Sequence, residues 1–497
     1  MRYARRRQLV SALLLAPLLS GCFAADDNSS PSGSGADTRL RVALAFPPAE
    51  NFSPYGSDAT LLSRLGVTEG LTRLDGNGAA SPALAESWRQ ENEHTWLFTL
   101  REARFQDGTE LTPAAAATAL THAAQADPAP AALSGVKLTA EPAGKRQVRV
   151  TTADPDPALP LRLSSPSLAV LSAKAYQEKG TVDPASTATG PFALAKGGGN
   201  RATLDRFDDY WGGRARASGI DARFIADGTA RTNALRTGEV DIAEAVPVAQ
   251  TSSLDKDTAR ELATTRTTSL LLNTRSGPFK DPKVRAAARA AVDTAVLAKD
   301  VYEGHADRGQ GVFGPALTWA AGKRVAPEGR ARAARVHGTA ITLATYDNRP
   351  ELPEVAQVLQ QQLKKAGFAV KVVVRESSRI EGDALAGKFD AFVGARNTML
   401  DTGDPVSVLA SDFTCDGSYN LALLCDKRVD RAVAEAGSAG EPAKRQDATM
   451  AAEAEVLRTD ATIPLVHQRI VHGVRASVHG VLLDPYERTL IGPGTRR

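Results

Sequence analysis

At 497 residues the chain is too long for one ordinary hydrophobic core, so two or three domains are expected. Its 42% hydrophobic and 24% charged composition is that of a soluble globular protein. The formal charge of +3 belongs to the first 21 residues, which carry Arg2, Arg5, Arg6 and Arg7 and no acid; beyond them 56 basic residues face 57 acidic ones, a net of −1, which leaves no electrostatic footprint for nucleic acid.

Residues 1–22 read as a bacterial export signal. The arginines form its charged start, and residues 9–19 are an apolar stretch too short to span a bilayer. Leu19, Ser20, Gly21 and Cys22 follow as a lipobox: a hydrophobic residue, two small ones, and the cysteine that is acylated and becomes the new N-terminus. The alternative is an ordinary secretory signal with a chance cysteine; position, spacing and flanks favour the lipobox. Arg6, Arg7, Gln8 and Leu9 also fit a twin-arginine signal loosely, so both export routes stay open. Residues 25–38 (ADDNSSPSGSGADT) have no apolar periodicity and the composition of a flexible tether. The expected division is a signal peptide at 1–21 and a tether at 22–38. No later stretch has the length of an apolar membrane-spanning helix.

The body then reads as alternating strands and helices. A first strand covers 40–45 (LRVALA). Residues 95–100 form a strand with Trp96, Phe98 and Leu100 on one face, and Thr112 with Pro113 caps a helix. Residues 127–184 give weak signals apart from a strand at 147–152. A hairpin follows with 197–200 (GGGN) at its tip. Residues 267–273 (TTSLLLN) suit a buried strand, 275–278 break it, and Asp281 with Pro282 opens a helix whose apolar face is Val284, Ala288, Ala291, Val292, Ala295 and Val296. Residues 341–346, 353–366 and 370–374 make one strand–helix–strand unit, with Val355, Leu359 and Leu363 facing inward and Gly367 as the stop.

Several short motifs occur in one order along this body: Glu69, Gly70 and Leu71; Pro82, Leu84, Ala85, Glu86 and Trp88; Leu100, Arg101, Phe105, Asp107 and Gly108; Thr189 to Phe192; Tyr210, Trp211, Gly212 and Gly213, then Arg231, Gly238, Glu239, Asp241 and Ile242; and Asn273, Thr274, Pro278, Phe279, Asp281, Val284, Arg285 and Asp293. Their order resembles that of the family 5 extracellular solute-binding proteins, the receptors of ABC importers for oligopeptides, dipeptides and nickel. The resemblance covers about 40–491. It implies an α/β, two-lobed periplasmic-binding-protein-like fold of the large type II cluster, with an extra small domain inserted in the first lobe and two hinge crossings. The first lobe would be 39–80, 185–266 and 473–497, the inserted domain 81–184, and the second lobe with its hinge strands 267–472. It implies no catalysis and no cofactor, and as partners an ABC permease with its ATPase subunits, a small-molecule ligand and, through the lipid alone, the membrane; a monomer is expected.

In the peptide-binding members an Asp just before an Asp-Pro pair holds the ligand's ammonium, and Asp401 stands there, ahead of Asp404 and Pro405. A solvated loop acid is its alternative. A Gly-Trp that usually precedes this Asp is replaced by Asn397 and Thr398. Arg396 is able to face a carboxylate or a phosphate two-pronged, or to be a surface arginine. Tyr419 and Asn420 match a cleft-adjacent pair, and Tyr55 and Glu69 lie in the segment that borders the family's cleft. Cys415 and Cys425, ten apart, suit a local disulfide; a thiolate pair on a metal is the alternative, with no His beside it. Of seven histidines, His467 and His472 are five apart on one expected strand, hence on opposite faces, so no protein-held metal is expected. The ligand is expected to be a peptide, with a metal chelate as the rival. A surface lipoprotein hydrolase or a sensory lipoprotein is the alternative of another class, although no Gly-x-Ser-x-Gly elbow, Walker loop or zinc-protease helix occurs.

Overall fold

The computed structural model describes residues 38–177 and 181–497; the expected signal, Cys22 and all but the end of the tether lie outside the described residues. The chain opens with β1 (Leu40–Leu44), then makes a hairpin of β2 (Thr72–Leu74) and β3 (Ala80–Pro82) and an antiparallel sheet of β4 (Ala85–Asn92), β5 (Thr95–Leu100), β6 (Leu138–Ala143) and β7 (Gln147–Thr152). It continues through β8 (Phe192–Gly198), β9 (Arg201–Arg206), β10 (Gly219–Phe224), β11 (Ile242–Val246) and the long β12 (Ala259–Leu272). After β13 (Ala306–Arg308) come β14 (Thr339–Tyr346), β15 (Phe368–Arg375) and β16 (Ala391–Asn397), and β17 (Thr462–Val474) returns. One large sheet has the order β15-β14-β16-β12-β17-β11-β1-β10-β9-β8, with β13 on β17.

β12 and β17, paired antiparallel, therefore join two half-sheets. Each half has its own core. Leu40, Val42, Phe192, Leu204 and Ile220 are buried in the first, and Leu343, Val355, Leu359, Val370 and Phe392 in the second. The four-stranded sheet has a third core, where Phe98, Val148 and Val150 pack on Leu120 of the helix Pro113–Gln125. Thr112 caps that helix, its hydroxyl accepting from the Ala115 N–H at 3.1 Å.

The second half follows from helical and strand periods. Val355, Leu359 and Leu363 of the helix Glu351–Lys365 are fully buried where that helix packs on the parallel pair β14 and β15. Gly367 ends the helix at φ +102°, where a Cβ would lie 2.0 Å from the Val336 carbonyl oxygen. Asp281 caps the helix Pro282–Ala291, accepting from the Lys283 N–H at 2.8 Å.

Two expectations need correction. The strand expected at 267–273 begins eight residues earlier, at Ala259. Its first part, ARELATTR, reads as polar because Thr264, Thr265 and Arg266 are buried against polar partners rather than apolar ones. The helix from Pro282 does not run to Val296. Val292 turns extended (φ −81°, ψ 120°) and Asp293 starts a new turn, its carboxylate accepting from the Ala295 N–H at 2.9 Å. The buried face is accordingly Arg285 to Ala288, and Val284, Ala291, Val292, Ala295 and Val296 are half-buried. Arg285 is structural: it donates to the carbonyls of Thr459 (2.7 Å) and Phe279 (2.7 Å).

Candidate functional site

β1, β10 and β11 run parallel, and so do β14, β15 and β16. In such sheets ligands bind beyond the carboxyl ends of the strands. The carboxyl ends of both sets face the middle of the joining strands: Val246 of β11 pairs with Val471, and Asn397 of β16 pairs with Arg266. The floor between the halves is thus the segment of β12 and β17 from Glu261 and Val471 to Thr267 and His467.

The C-terminal segment 484–488 lies over this floor. The Thr265 N–H donates to the Pro485 carbonyl at 3.0 Å. Glu487 takes both prongs of Arg266 and the Asn397 amide, and Arg64 stands at 3.6 Å. Burial would push the Glu487 carboxyl up, but Arg266 and Arg64 hold it down at about 2. Arg488 donates from Nε to the Leu400 carbonyl (3.0 Å) and from Nη1 to the Ser164 carbonyl (2.9 Å) and hydroxyl (2.8 Å). Burial lowers its pKa to about 10.

Beside this segment is a cavity of about 440 Å³ lined by Thr68, Glu69, Arg73, Ser164, Tyr210, Tyr486 and Arg488 among others. A smaller pocket, about 50 Å³, lies under the helix Pro405–Phe413, between Tyr346, Phe392, Arg396, Asp412 and Tyr419.

The sequence-derived candidates divide between these places. Arg396 pairs with Asp401 at 3.1 Å and with Asp412 at 3.1 Å, and its guanidinium carbon is 5.1 Å from the Tyr419 ring centre. Burial opposes the Arg396 charge, but Asp412 and Asp401 outweigh it and raise its pKa. Glu381 lies against Tyr419, and burial raises its carboxyl, as it raises that of Asp412. Glu69 lines the larger cavity and accepts from Thr189 (2.8 Å), Tyr210 (2.9 Å) and Trp211 (2.9 Å); burial raises its pKa. Tyr55 packs instead on the core of the four-stranded sheet. The Asn420 side chain turns into its own loop. Its amide donates to the carbonyls of Thr414 and Leu424 and accepts from the Leu424 N–H, closing the loop that the Cys415–Cys425 disulfide also closes.

Both histidines of β17 are engaged. His467 Nδ1 lies 2.9 Å from the Thr267 hydroxyl, and its Nε2 accepts from the Gln310 N–H at 3.2 Å. His472 Nδ1 accepts from the Ala245 N–H at 3.3 Å. Among the described residues no group of three or more His, Cys, Asp or Glu is placed to hold a metal ion.

The profile of the bacterial extracellular solute-binding proteins, family 5 Middle, matches residues 79–420. The chain belongs to this family. It is 26% identical to the glutathione-binding protein of Shigella dysenteriae over 517 residues, covering 97% of each chain. The nickel-binding NikA of Staphylococcus aureus, solved with Ni(L-His)2, superposes with a TM-score of 0.78 at 22% identity, covering 93% of this chain and 100% of that one. The peptide-complexed DppA of Helicobacter pylori gives 0.73 at 19%, covering 90% and 95%. The fold is thus the mixed α/β periplasmic-binding-protein fold with extra antiparallel sheets.

As a family 5 solute-binding protein, the chain is the binding component of an ABC importer and not an enzyme. No helix among the described residues is long and apolar enough to cross a membrane. The network residues of this solute-binding protein were not found from sequence. Glu487 and Arg488 sit in a polar tail with no periodicity, Arg266 is a lone charge whose partner lies 221 residues on, and Asp412 is a lone acid on a helix 16 residues from Arg396, with no motif to join them.

Proposed function

We propose that the protein is a lipid-anchored receptor, held outside the cell membrane through Cys22 and a tether, that captures a short peptide between two closing lobes and delivers it to an ABC permease with its ATPase subunits. The lobes are those expected from sequence, with β12 and β17 as the hinge crossings. The observation that carries the peptide reading is the charge balance at Arg396. One guanidinium faces the carboxylates of Asp401 and Asp412, with Glu381 close by, so the site has more acid than base. A ligand ammonium restores the balance, and a solute with an ammonium is what a peptide offers.

A metal chelate is the competing ligand, since a nickel-binding relative shares the fold. Against it, His467 and His472 already use ring nitrogens within the protein. Native mass spectrometry of the chain purified without denaturant tests the choice. A peptide-sized adduct is expected; a metal-chelate adduct, or a chain that titration calorimetry shows to ignore peptides of two to five residues, overturns the peptide reading.

A further inference from the structure

The cavity of about 440 Å³ has buried polar groups that nothing in the protein satisfies. Arg488 is 5% exposed and uses Nε and Nη1 on backbone and Ser164, yet its Nη2 has no acceptor. Thr68 is 6% exposed, and its hydroxyl is likewise without a partner. A guanidinium remains protonated at neutral pH, so a buried Nη2 without an acceptor is costly, and proteins rarely retain one.

Of the three acids on the same wall, Glu69 and Asp484 are engaged, and Asp75 spends one oxygen on the N–H groups of Asn77 (2.8 Å) and Ala79 (2.9 Å). Glu69 accepts from three side chains, and the two Asp484 oxygens accept from the N–H groups of Tyr486, Arg488 and Thr489. Among the buried lining groups what remains open is donor capacity, and exposed Arg73 adds a second cation to the wall. We propose that this cavity receives a carboxylate of the bound solute, one oxygen accepting from Arg488 Nη2, with the Thr68 hydroxyl as a further donor. The carboxylate subsite rests on the chain being a solute receptor, not on the solute being a peptide. Its lining differs from that of the pocket at Arg396, and the two adjoin where Arg488 holds the Leu400 carbonyl next to Asp401, so a zwitterionic solute would meet opposite charges at its two ends.

Calorimetry and thermal shift with acetate, succinate, trialanine and trialanine amide on the mature chain test this. The acids are expected to raise the melting temperature, and trialanine to bind about tenfold to a hundredfold more tightly than its amide. Arg488→Met should abolish that preference and Thr68→Val reduce it. Equal binding of acid and amide by the unmodified chain, a preference that survives Arg488→Met, or no shift with any carboxylate up to its solubility limit would overturn the subsite. The acid–amide comparison on the unmodified chain decides even if Arg488→Met does not fold. Arg488-dependent binding of acetate and succinate without either trialanine would keep the subsite and sink the peptide reading; equal binding of both trialanines would do the reverse.

Discussion

Arg266 and Glu487 meet as a two-point pair, with Nε and Nη2 of the arginine each 2.9 Å from a carboxylate oxygen. The same carboxylate accepts from Asn397 at 2.9 Å and has Arg64 at 3.6 Å. Arg266 is on the joining strand β12, Asn397 ends β16 in the second half, and Arg64 ends the first-half helix Asp58–Arg64. One carboxylate therefore ties both halves to their joint. Glu487 holds a φ of +59°, which costs a non-glycine residue about 1–3 kcal/mol and persists because these contacts hold it. Glu487→Ala leaves the buried Arg266 without a counter-charge, while Arg64 keeps Glu244 at 2.7 Å, and should cost about 3–5 kcal/mol. An unchanged urea midpoint would show that the pair is dispensable.

The same carboxylate should set an acid limit. Its folded pKa of about 2 lies below the ordinary 4.5. Between those values the unfolded chain takes up a proton that the folded chain refuses. Stability present above pH 4.5 is then lost as pH falls towards 2, by about 3 kcal/mol for this group. In Glu487→Gln that part of the slope should vanish, as urea midpoints measured across the interval would reveal.

His467 adds a second, milder window. Its Nε2 accepts from the Gln310 N–H, so Nδ1 carries the proton and donates to Thr267, whose hydroxyl donates onward to the Val312 carbonyl at 2.9 Å. Protonating Nε2 would set two donors face to face. Burial, with Arg324 adding to it, lowers the pKa from 6.5 to about 4. The unfolded chain binds the extra proton below 6.5, so stability falls as pH drops from 6.5 to 4, by about 3 kcal/mol. Guanidinium unfolding at pH 5 and pH 7.5 should show about 2 kcal/mol of this loss, and His467→Gln should lack it; an equal loss in both chains would rule the histidine out.

What the sequence made legible was what depends on local period and chain order. The amphipathic helix with Val355, Leu359 and Leu363 and the caps at Thr112 and Asp281 were readable because each rests on neighbours a few residues away. The first part of β12 was not, because its polar side chains find partners over 200 residues on, as Arg266 does in Glu487. Asp401 and Arg396 were singled out by position, but the sequence could not show that they pair with each other, nor that Asp412 joins them. Nor could it show how Asn420 is used: its motif neighbour Tyr419 lines the pocket, while its own side chain turns into the loop.

Asn420 consequently should matter for stability and not for binding. Three backbone groups, the carbonyls of Thr414 and Leu424 and the Leu424 N–H, have its side chain as partner. Asn420→Ala leaves both Leu424 groups unmet at a buried site, while the Thr414 carbonyl keeps the Gly417 N–H at 3.1 Å, and should cost about 1–3 kcal/mol in thermal or urea unfolding. Its ligand affinity, measured well below the lowered melting temperature, should match that of the unmodified chain. A folded variant with weakened binding would restore Asn420 to the cleft.

Asp401 should behave in the opposite way. Its side chain is 30% exposed, and its partner Arg396 keeps Asp412 when Asp401 is removed. Truncation therefore leaves no buried cation unpaired, and Asp401→Ala should change the unfolding midpoint by less than about 1 kcal/mol. If a peptide ammonium docks beside it, losing the carboxylate should weaken that peptide by about 2–5 kcal/mol. The comparison has an internal control. An N-acetylated form of the same peptide lacks the ammonium, so it should bind the unmodified chain and Asp401→Ala with the same low affinity. Calorimetric titrations that find the free-amine peptide equally tight in both chains would remove Asp401 from the site and leave it as the counter-ion of Arg396.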